Sequence, residues 1–101
     1  MPIATPAYVL ADNNVHDPDA YQEYIEKIAP TVATYGGKYL ARGGEVVAIS
    51  GNRRWQRVVL IQFPNKALAQ AWIDAPELAP IHEMRKQHAT TEMIILTGIP
   101  D

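Results

Sequence analysis

The chain has 101 residues, of which 48% are hydrophobic and 20% charged, and its formal net charge is −2. This length suits one domain, and this balance excludes a disordered chain and gives no reason to expect nucleic acid or an anionic membrane as a partner. There is no cysteine, which excludes disulfides, thiolate metal sites and cysteine nucleophiles. The N-terminal stretch lacks the basic region and long apolar run of a signal peptide or a membrane span, so we expect a single cytoplasmic domain over residues 1–101.

The first third of the chain predicts a strand followed by a helix. Residues 7–11, AYVLA, form an apolar run of strand-forming residues. Asp17 is a good N-cap, and Pro18 suits the first position of a helix. An apolar stripe with spacings of three and four follows, made of Tyr21, Ile25, Ile28, Val32 and Tyr35. Pro30 lacks the N–H that would bond the Glu26 carbonyl, so we expect a kink there or a split into two short helices.

The rest of the chain predicts four more strands and a second helical region. Gly36 can end the first helix in the left-handed conformation. KYLAR (38–42), EVVAIS (45–50), WQRVVLIQF (55–63) and MIILTG (93–98) are predicted strands. Asn65 can cap a helix, which Pro76 restarts. The order β-α-β-β-α-β with an extra hairpin strand predicts an α+β, ferredoxin-like antiparallel sheet with helices on one face.

Alternation of side chains along the strands separates the two faces of the predicted sheet. One set is almost purely apolar and suits the helix side: Ala7, Val9, Ala11, Tyr39, Ala41, Val59, Ile61, Phe63, Ile94 and Leu96. The other set mixes apolar residues with Tyr8, Asp12, Arg42 and Gln62. An apolar sheet face left open calls for a partner, and a second copy of the chain is the simplest one. We therefore expect a homodimer that encloses a cavity lined by these four polar residues.

Five segments carry a family resemblance that spans nearly the whole chain: DPDAYQEY, YGGKYLARGG, VVLIQFPN, ALAQAW and APELAPIHEMR. In this order they resemble the domain-of-unknown-function 1330 family, which belongs to the dimeric α/β-barrel superfamily. The resemblance implies a ferredoxin-like subunit and a face-to-face homodimer. Related barrel families include cofactor-free monooxygenases of aromatic compounds, lactone isomerases and dehalogenase-like proteins.

Individual positions follow or depart from the pattern of that family. Arg42, Trp72 and Arg85 match it. Ala75 stands where the family usually has serine, and Leu78 where it has tyrosine. If that serine and tyrosine belong to a family site, the resemblance implies a different chemistry or ligand for this chain.

Arg42 and Asp12 are candidate catalytic residues of the predicted cavity. The planar guanidinium of Arg42 can hold a carboxylate, phenolate or enolate. Alternatively, it can form a structural pair with the partner subunit or with Asp12, the only acid assigned to that face. Asp12 can act as a general base, although a strand-end turn residue is the simpler interpretation. Tyr8 and Gln62 are candidate ligand-binding residues, and Tyr8 can equally pack with its hydroxyl at the rim.

His82 and Arg85 lie three residues apart and can share a helix face. His82 is a candidate proton carrier at the cavity mouth, although a solvated surface histidine is the simpler interpretation. Arg85 is a candidate ligand-binding residue. No pair of histidines has the i, i+4 spacing of a helical metal site, and no phosphate or dinucleotide loop occurs, so we expect neither metal nor cofactor.

These observations leave two hypotheses for function. One is a small-molecule binder or a cofactor-free enzyme, monooxygenase-like or isomerase-like. It would act on a small aromatic or enolisable anion in the cavity of the homodimer, where Arg42 steadies an oxyanion. The other is a non-catalytic, stress-associated binding or scaffolding homodimer. An open cavity favours the first hypothesis, and a filled interface favours the second.

Overall fold

The structure, a computed structural model, describes residues 5–100. Strands β1 (Ala7–Val15), β2 (Lys38–Arg42), β3 (Arg57–Phe63) and β4 (Ala89–Thr97) form one antiparallel sheet in the order β2-β3-β1-β4. The helices are α1 (Pro18–Thr34), α2 (Lys66–Asp74) and α3 (Ala79–His88). A 3-10 turn at Pro76–Leu78 lies between α2 and α3. This is the predicted ferredoxin-like α+β fold, which is thereby confirmed. No helix among residues 5–100 has the length and apolar character needed to cross a bilayer.

Local sequence signals set the beginnings and ends of the helices. Asp17 caps α1 by accepting a hydrogen bond from the Ala20 N–H at 3.2 Å, and Asn65 caps α2 by accepting one from the Leu68 N–H at 2.8 Å. Gly36, just after α1, has a φ of 80°, the left-handed conformation that ends helices. These predictions are therefore confirmed.

The predicted split of the first helix at Pro30 is wrong, because α1 is assigned without interruption from Pro18 to Thr34. Pro30 and Glu26 both lie on the exposed side of the helix, where water can bond the carbonyl that proline leaves free. The Thr31 hydroxyl also donates to the Ile28 carbonyl at 2.6 Å, and that of Thr34 to the Pro30 carbonyl at 3.3 Å.

The predicted strand at 45–50 is absent, and residues 43–56 form a long connection without regular secondary structure. Its apolar side chains are exposed, with Val47 at 67% and Ile49 at 89% of full exposure, so they have no neighbouring strand to pack against. Three other strands differ at their ends: β1 continues to Val15, β3 begins at Arg57, and β4 begins at Ala89.

The core lies between the three helices and one face of the sheet. Ala7, Val9 and Ala11 of β1 are at most 4% exposed on this face, as predicted. Trp72 of α2 is 2% exposed and packs against Phe63 with ring centroids 5.6 Å apart. Burial of aromatic rings of this size dominates the stability of a small core.

The predicted faces of β4 are reversed. Val9 pairs with Ile95 and Ala11 with Met93, so Met93 and Ile95 face the helices. Ile94 and Leu96 lie on the uncovered face and are 53% and 57% exposed. Both alternating sets of this strand are apolar, so alternation by itself left its orientation open, and pairing with β1 decided it.

Arg42 also lies on the other side from the one predicted, because β2 contains a bulge. Tyr39 pairs with Ile61, but Ala41 pairs with Leu60 and Arg42 with Val59, so the register shifts by one residue at Leu40. One extra residue reverses the faces that follow it. Arg42 therefore shares the helix-covered face with Val59.

Candidate functional site

A cavity between the sheet and the helices brings arginines and tyrosines together inside one subunit. Arg42 of β2, Arg57 of β3 and Arg85 of α3 line it. Its other polar lining residues are Asn13, Tyr21, Tyr24 and Tyr39. Its apolar lining residues are Val9, Ala11, Ile25, Ile28, Val59, Ile61, Trp72 and Met93. The space open to the centre of a water-sized sphere is about 30 Å³, enough for one or two ordered waters, so side chains fill most of the site.

The three arginines lie at different depths. Arg85 is only 8% exposed, Arg57 is half-buried, and Arg42 is exposed, which places Arg42 at the open end of the cavity. Arg57 precedes Val59, the partner of Arg42, by two residues, so Arg42 and Arg57 are diagonal neighbours on one face. Such neighbours have Cα atoms about 7–8 Å apart. The cavity therefore holds cationic groups from its floor to its opening.

Phenol rings contact two of the three guanidinium groups. Arg42 stacks over the Tyr39 ring with its central carbon 4.4 Å from the ring centroid. Arg57 Nη1 donates to the Tyr21 hydroxyl at 3.3 Å, and the Tyr21 and Tyr24 rings lie 5.2 Å apart. Stacking on aromatic faces is a favourable environment for guanidinium groups.

Burial keeps the phenols of the cavity protonated. It raises the pKa of Tyr24 to about 12, and the charge of Arg85 opposes this only in part. Burial also raises the pKa of Tyr21 and of Tyr39, against the charges of Arg57 and Arg42 respectively. Near neutral pH these tyrosines are hydrogen-bond donors and do not neutralise the arginines.

The arginines of the cavity have no carboxylate partner in the described part of the chain. Both ion pairs found among residues 5–100 belong to Arg53, which contacts Asp12 at 3.1 Å and Glu92 at 2.9 Å. The Nε of Arg85 is buried and makes no hydrogen bond. A buried guanidinium without an anion is costly, so the cavity favours an anionic ligand.

His82 supports Arg85 from behind the cavity. Its Nδ1 lies 3.1 Å from Arg85 Nη1, and its Nε2 lies 3.2 Å from the Trp72 carbonyl oxygen. A guanidinium can only donate, so Nδ1 accepts and Nε2 carries the hydrogen that bonds the carbonyl. The interpretation of His82 as a solvated surface residue is wrong, because it is 8% exposed and packed edge-on against Trp72.

Gly43 gives Arg57 its place in the cavity. Its φ is 69°, and a Cβ there would lie 3.0–3.2 Å from the guanidinium atoms of Arg57. The missing side chain therefore lets Arg57 lie directly on the backbone that follows Arg42.

The other predicted site residues lie on the opposite face of the sheet. Tyr8 pairs with Gln62, and Asp12 with Glu92, on the uncovered face. The Asp12 carboxylate accepts from Arg53 and from the Gln56 N–H at 3.0 Å. The predicted Asp12–Arg42 pair is therefore wrong, and Asp12 is not the only acid on this face. The roles predicted for these residues in binding or catalysis stay predictions.

Arg57, Tyr21, Tyr24 and Tyr39 were not among the predicted site residues. Arg57 lies two residues before Val59 and so continues the series Val59, Ile61 and Phe63 on one face of the strand. This spacing is the signal in the sequence that Arg57 faces the helices. Tyr21 and Tyr39 were predicted on apolar faces, and both pack against the core. The Tyr21 hydroxyl accepts a hydrogen bond from Arg57, and Arg42 stacks on the Tyr39 ring.

The four-stranded antiparallel sheet and the helix-covered cavity define a ferredoxin-like α+β protein with a cationic site inside the subunit. The chain belongs to the family described as a domain of unknown function, DUF1330, whose model matches residues 6–99. No curated protein matches the chain significantly.

Several solved structures share this fold. Methylated RPA0582 of Rhodopseudomonas palustris, a protein of unknown function, is 20% identical with a TM-score of 0.74, over 93% of this chain and 81% of that one. SnoaB of Streptomyces nogalater, a cofactor-independent oxygenase, is 14% identical with a TM-score of 0.63, over 95% and 94%. A Bacteroides thetaiotaomicron protein described as a possible oxidoreductase is 12% identical with a TM-score of 0.56, over 96% and 99%.

Proposed function

We propose that this protein binds a small organic anion in the cavity between the helices and the sheet. The observation that carries the proposal is the absence of a carboxylate partner for Arg42, Arg57 and Arg85 among residues 5–100. Charge-assisted hydrogen bonds from guanidinium groups are strong, and their planar donor fork matches a carboxylate, phenolate or enolate.

We further propose that the protein acts on this anion as a cofactor-independent enzyme. Arginines and protonated tyrosines around one cavity supply donors for an oxyanion that develops during a reaction. The fold shared with SnoaB, a cofactor-independent oxygenase, is consistent with such chemistry. We propose this site within one subunit, in addition to the predicted cavity between two sheets, because the bulge at Leu40 directs Arg42 towards the helices.

The binding proposal is tested by calorimetry or ligand-observed NMR with a panel of small aromatic acids and phenols. Arg85→Met removes the buried guanidinium and keeps similar volume. Arg54→Met is the matched control, because Arg54 lies on the exposed 43–56 connection and does not line the cavity. We expect wild type and Arg54→Met to bind, and Arg85→Met to bind at least about tenfold more weakly. Equal binding by all three proteins would disprove the role of the cavity.

We also propose a homodimer formed through the uncovered sheet face. Ile94 and Leu96 are more than half exposed there, and Leu10, Val58 and Leu60 lie on the same face. An open apolar sheet face of this kind is typical of a surface covered by a partner. The alternative function, a non-catalytic scaffolding dimer, predicts the same dimer without anion binding, so the calorimetric experiment separates the two.

A further inference from the structure

We propose that the cavity selects a small dianion whose two anionic groups are separated by a short apolar segment. This inference rests on the proposed anion-binding function and specifies its ligand. It follows from the number of arginines, their different depths and the apolar lining of the cavity.

The first argument is the charge of the site. Three guanidinium groups line the cavity, and its phenols are protonated. His82 adds no positive charge, because both of its ring nitrogens form the hydrogen bonds of a neutral ring. A ligand with one negative charge would leave two of the three positive charges unmatched, and a dianion would leave one. A dianion therefore neutralises more of the charge of the site than a monoanion does.

The second argument is the arrangement of the arginines in depth. Arg85 lies at the buried floor with its Nε unpartnered, and Arg57 lies half-buried beside Tyr21. These two groups form an inner donor set. Arg42 is anchored on β2 at the opening and stacks on the half-buried Tyr39. A single small anionic group bound at the buried floor would not contact the exposed guanidinium of Arg42. A second anionic group on the same ligand could bind it.

The third argument is the apolar lining of the cavity. Val9, Ile28, Val59, Ile61 and Met93 contribute apolar surface to the same cavity. A short methylene chain or ring edge suits this surface, since burying apolar area is favourable, and a compact, fully hydrated anion does not use it. The space of about 30 Å³ is too small for such a ligand, so its entry requires side chains to move, and the exposed Arg42 is the one least constrained by packing.

The test compares matched pairs of ligands by calorimetry at low ionic strength. Succinate and butyrate have the same chain length, as do malonate and propionate, and each pair differs by one carboxylate. We expect each dianion to bind at least about tenfold more tightly than its monoanion. We also expect inorganic phosphate, which carries its charge on one group, to bind more weakly than succinate.

The variant Arg42→Met tests whether the second anionic group of the ligand binds at the opening of the cavity. We expect it to abolish the advantage of succinate over butyrate, with succinate binding weakened about tenfold. The control, Arg54→Met, should retain the full advantage. Thermal melting of each variant checks that it is folded before binding is compared.

Each outcome decides between the two proposals. Equal affinities for dianions and monoanions would overturn the dianion inference and leave anion binding intact. Phosphate that binds as tightly as succinate would overturn the separation of the two groups, and so would an advantage that persists in Arg42→Met. No binding by any of these anions would overturn the inference, and failure of the aromatic panel as well would overturn the proposed function.

Discussion

Arg85 Nη1 donates a hydrogen bond to Nδ1 of His82 at 3.1 Å, and this contact fixes the tautomer of a buried histidine. With Nδ1 accepting, the only hydrogen of the neutral ring is on Nε2, where it meets the Trp72 carbonyl oxygen at 3.2 Å. The orientation of Arg85 in the cavity therefore depends on the protonation state of a residue outside it.

The first prediction concerns pH. Burial lowers the pKa of His82, and the charges of Arg85 and Lys86 lower it further, against the favourable bond to the Trp72 carbonyl. The unfolded chain therefore binds a proton at His82 more readily than the folded one. The stability contributed by the neutral form is complete above the unfolded pKa of about 6.5 and is lost as pH falls through the lower folded pKa.

Chemical denaturation of wild type at several pH values below about 7 checks this prediction. His82→Gln should lose the part of the acid sensitivity that belongs to this group, whereas His16→Gln, which changes an exposed histidine, should retain it. Nitrogen NMR should report the Nε2–H tautomer at neutral pH. An Nδ1–H tautomer, or the same acid sensitivity in His82→Gln as in wild type, would contradict the assignment.

The second prediction concerns the stability of Arg85→Met, the variant expected to bind anions weakly. Replacing a buried, unpartnered charge with an apolar side chain of similar volume is often neutral or stabilising. We therefore expect Arg85→Met to be at least as stable as wild type in the absence of ligand, within about 1 kcal/mol. Urea unfolding measures this, and a loss of more than about 3 kcal/mol would show that Arg85 is chiefly structural.

The third prediction concerns Gly43. An alanine there would have to adopt a φ of 69° and would crowd the Arg57 guanidinium, so we expect Gly43→Ala to cost about 1–2 kcal/mol and to weaken anion binding. Gly44→Ala is the matched control, because a Cβ at Gly44 would meet no atom within 4 Å and the φ of Gly44 is not positive. Denaturation and calorimetry should show lower stability and weaker anion binding for Gly43→Ala than for Gly44→Ala. Equal effects of the two substitutions would refute the role given to Gly43.

The fourth prediction concerns assembly. We expect light scattering of wild type at micromolar concentration to give the mass of two subunits. Leu60→Lys or Ile94→Lys should produce monomer or aggregate, since a charge would then lie in a buried apolar interface. Ile99→Lys is the control, because Ile99 is 86% exposed and lies beyond β4. A wild-type mass of one subunit would rule out the dimer.

The amino-acid sequence by itself determined the elements whose signals are local. The caps at Asp17 and Asn65 and the left-handed Gly36 depend on the chemistry of a few neighbouring residues, and each was predicted correctly. Alternation along β1 and β3 placed their buried faces correctly because each has one clearly apolar set. Together these signals were enough to give the ferredoxin-like order of elements.

Only the tertiary structure decided the site, because the site depends on pairing and packing between distant segments. The one-residue bulge at Leu40 moved Arg42 to the helix side, and pairing with β1 reversed the expected faces of β4. His82 became buried because α3 packs against Trp72 of α2, and Arg57 entered the cavity because Gly43 leaves space for it. A register shift of one residue reverses a face without changing composition or local propensity, so no local pattern in the sequence could specify which arginines would meet.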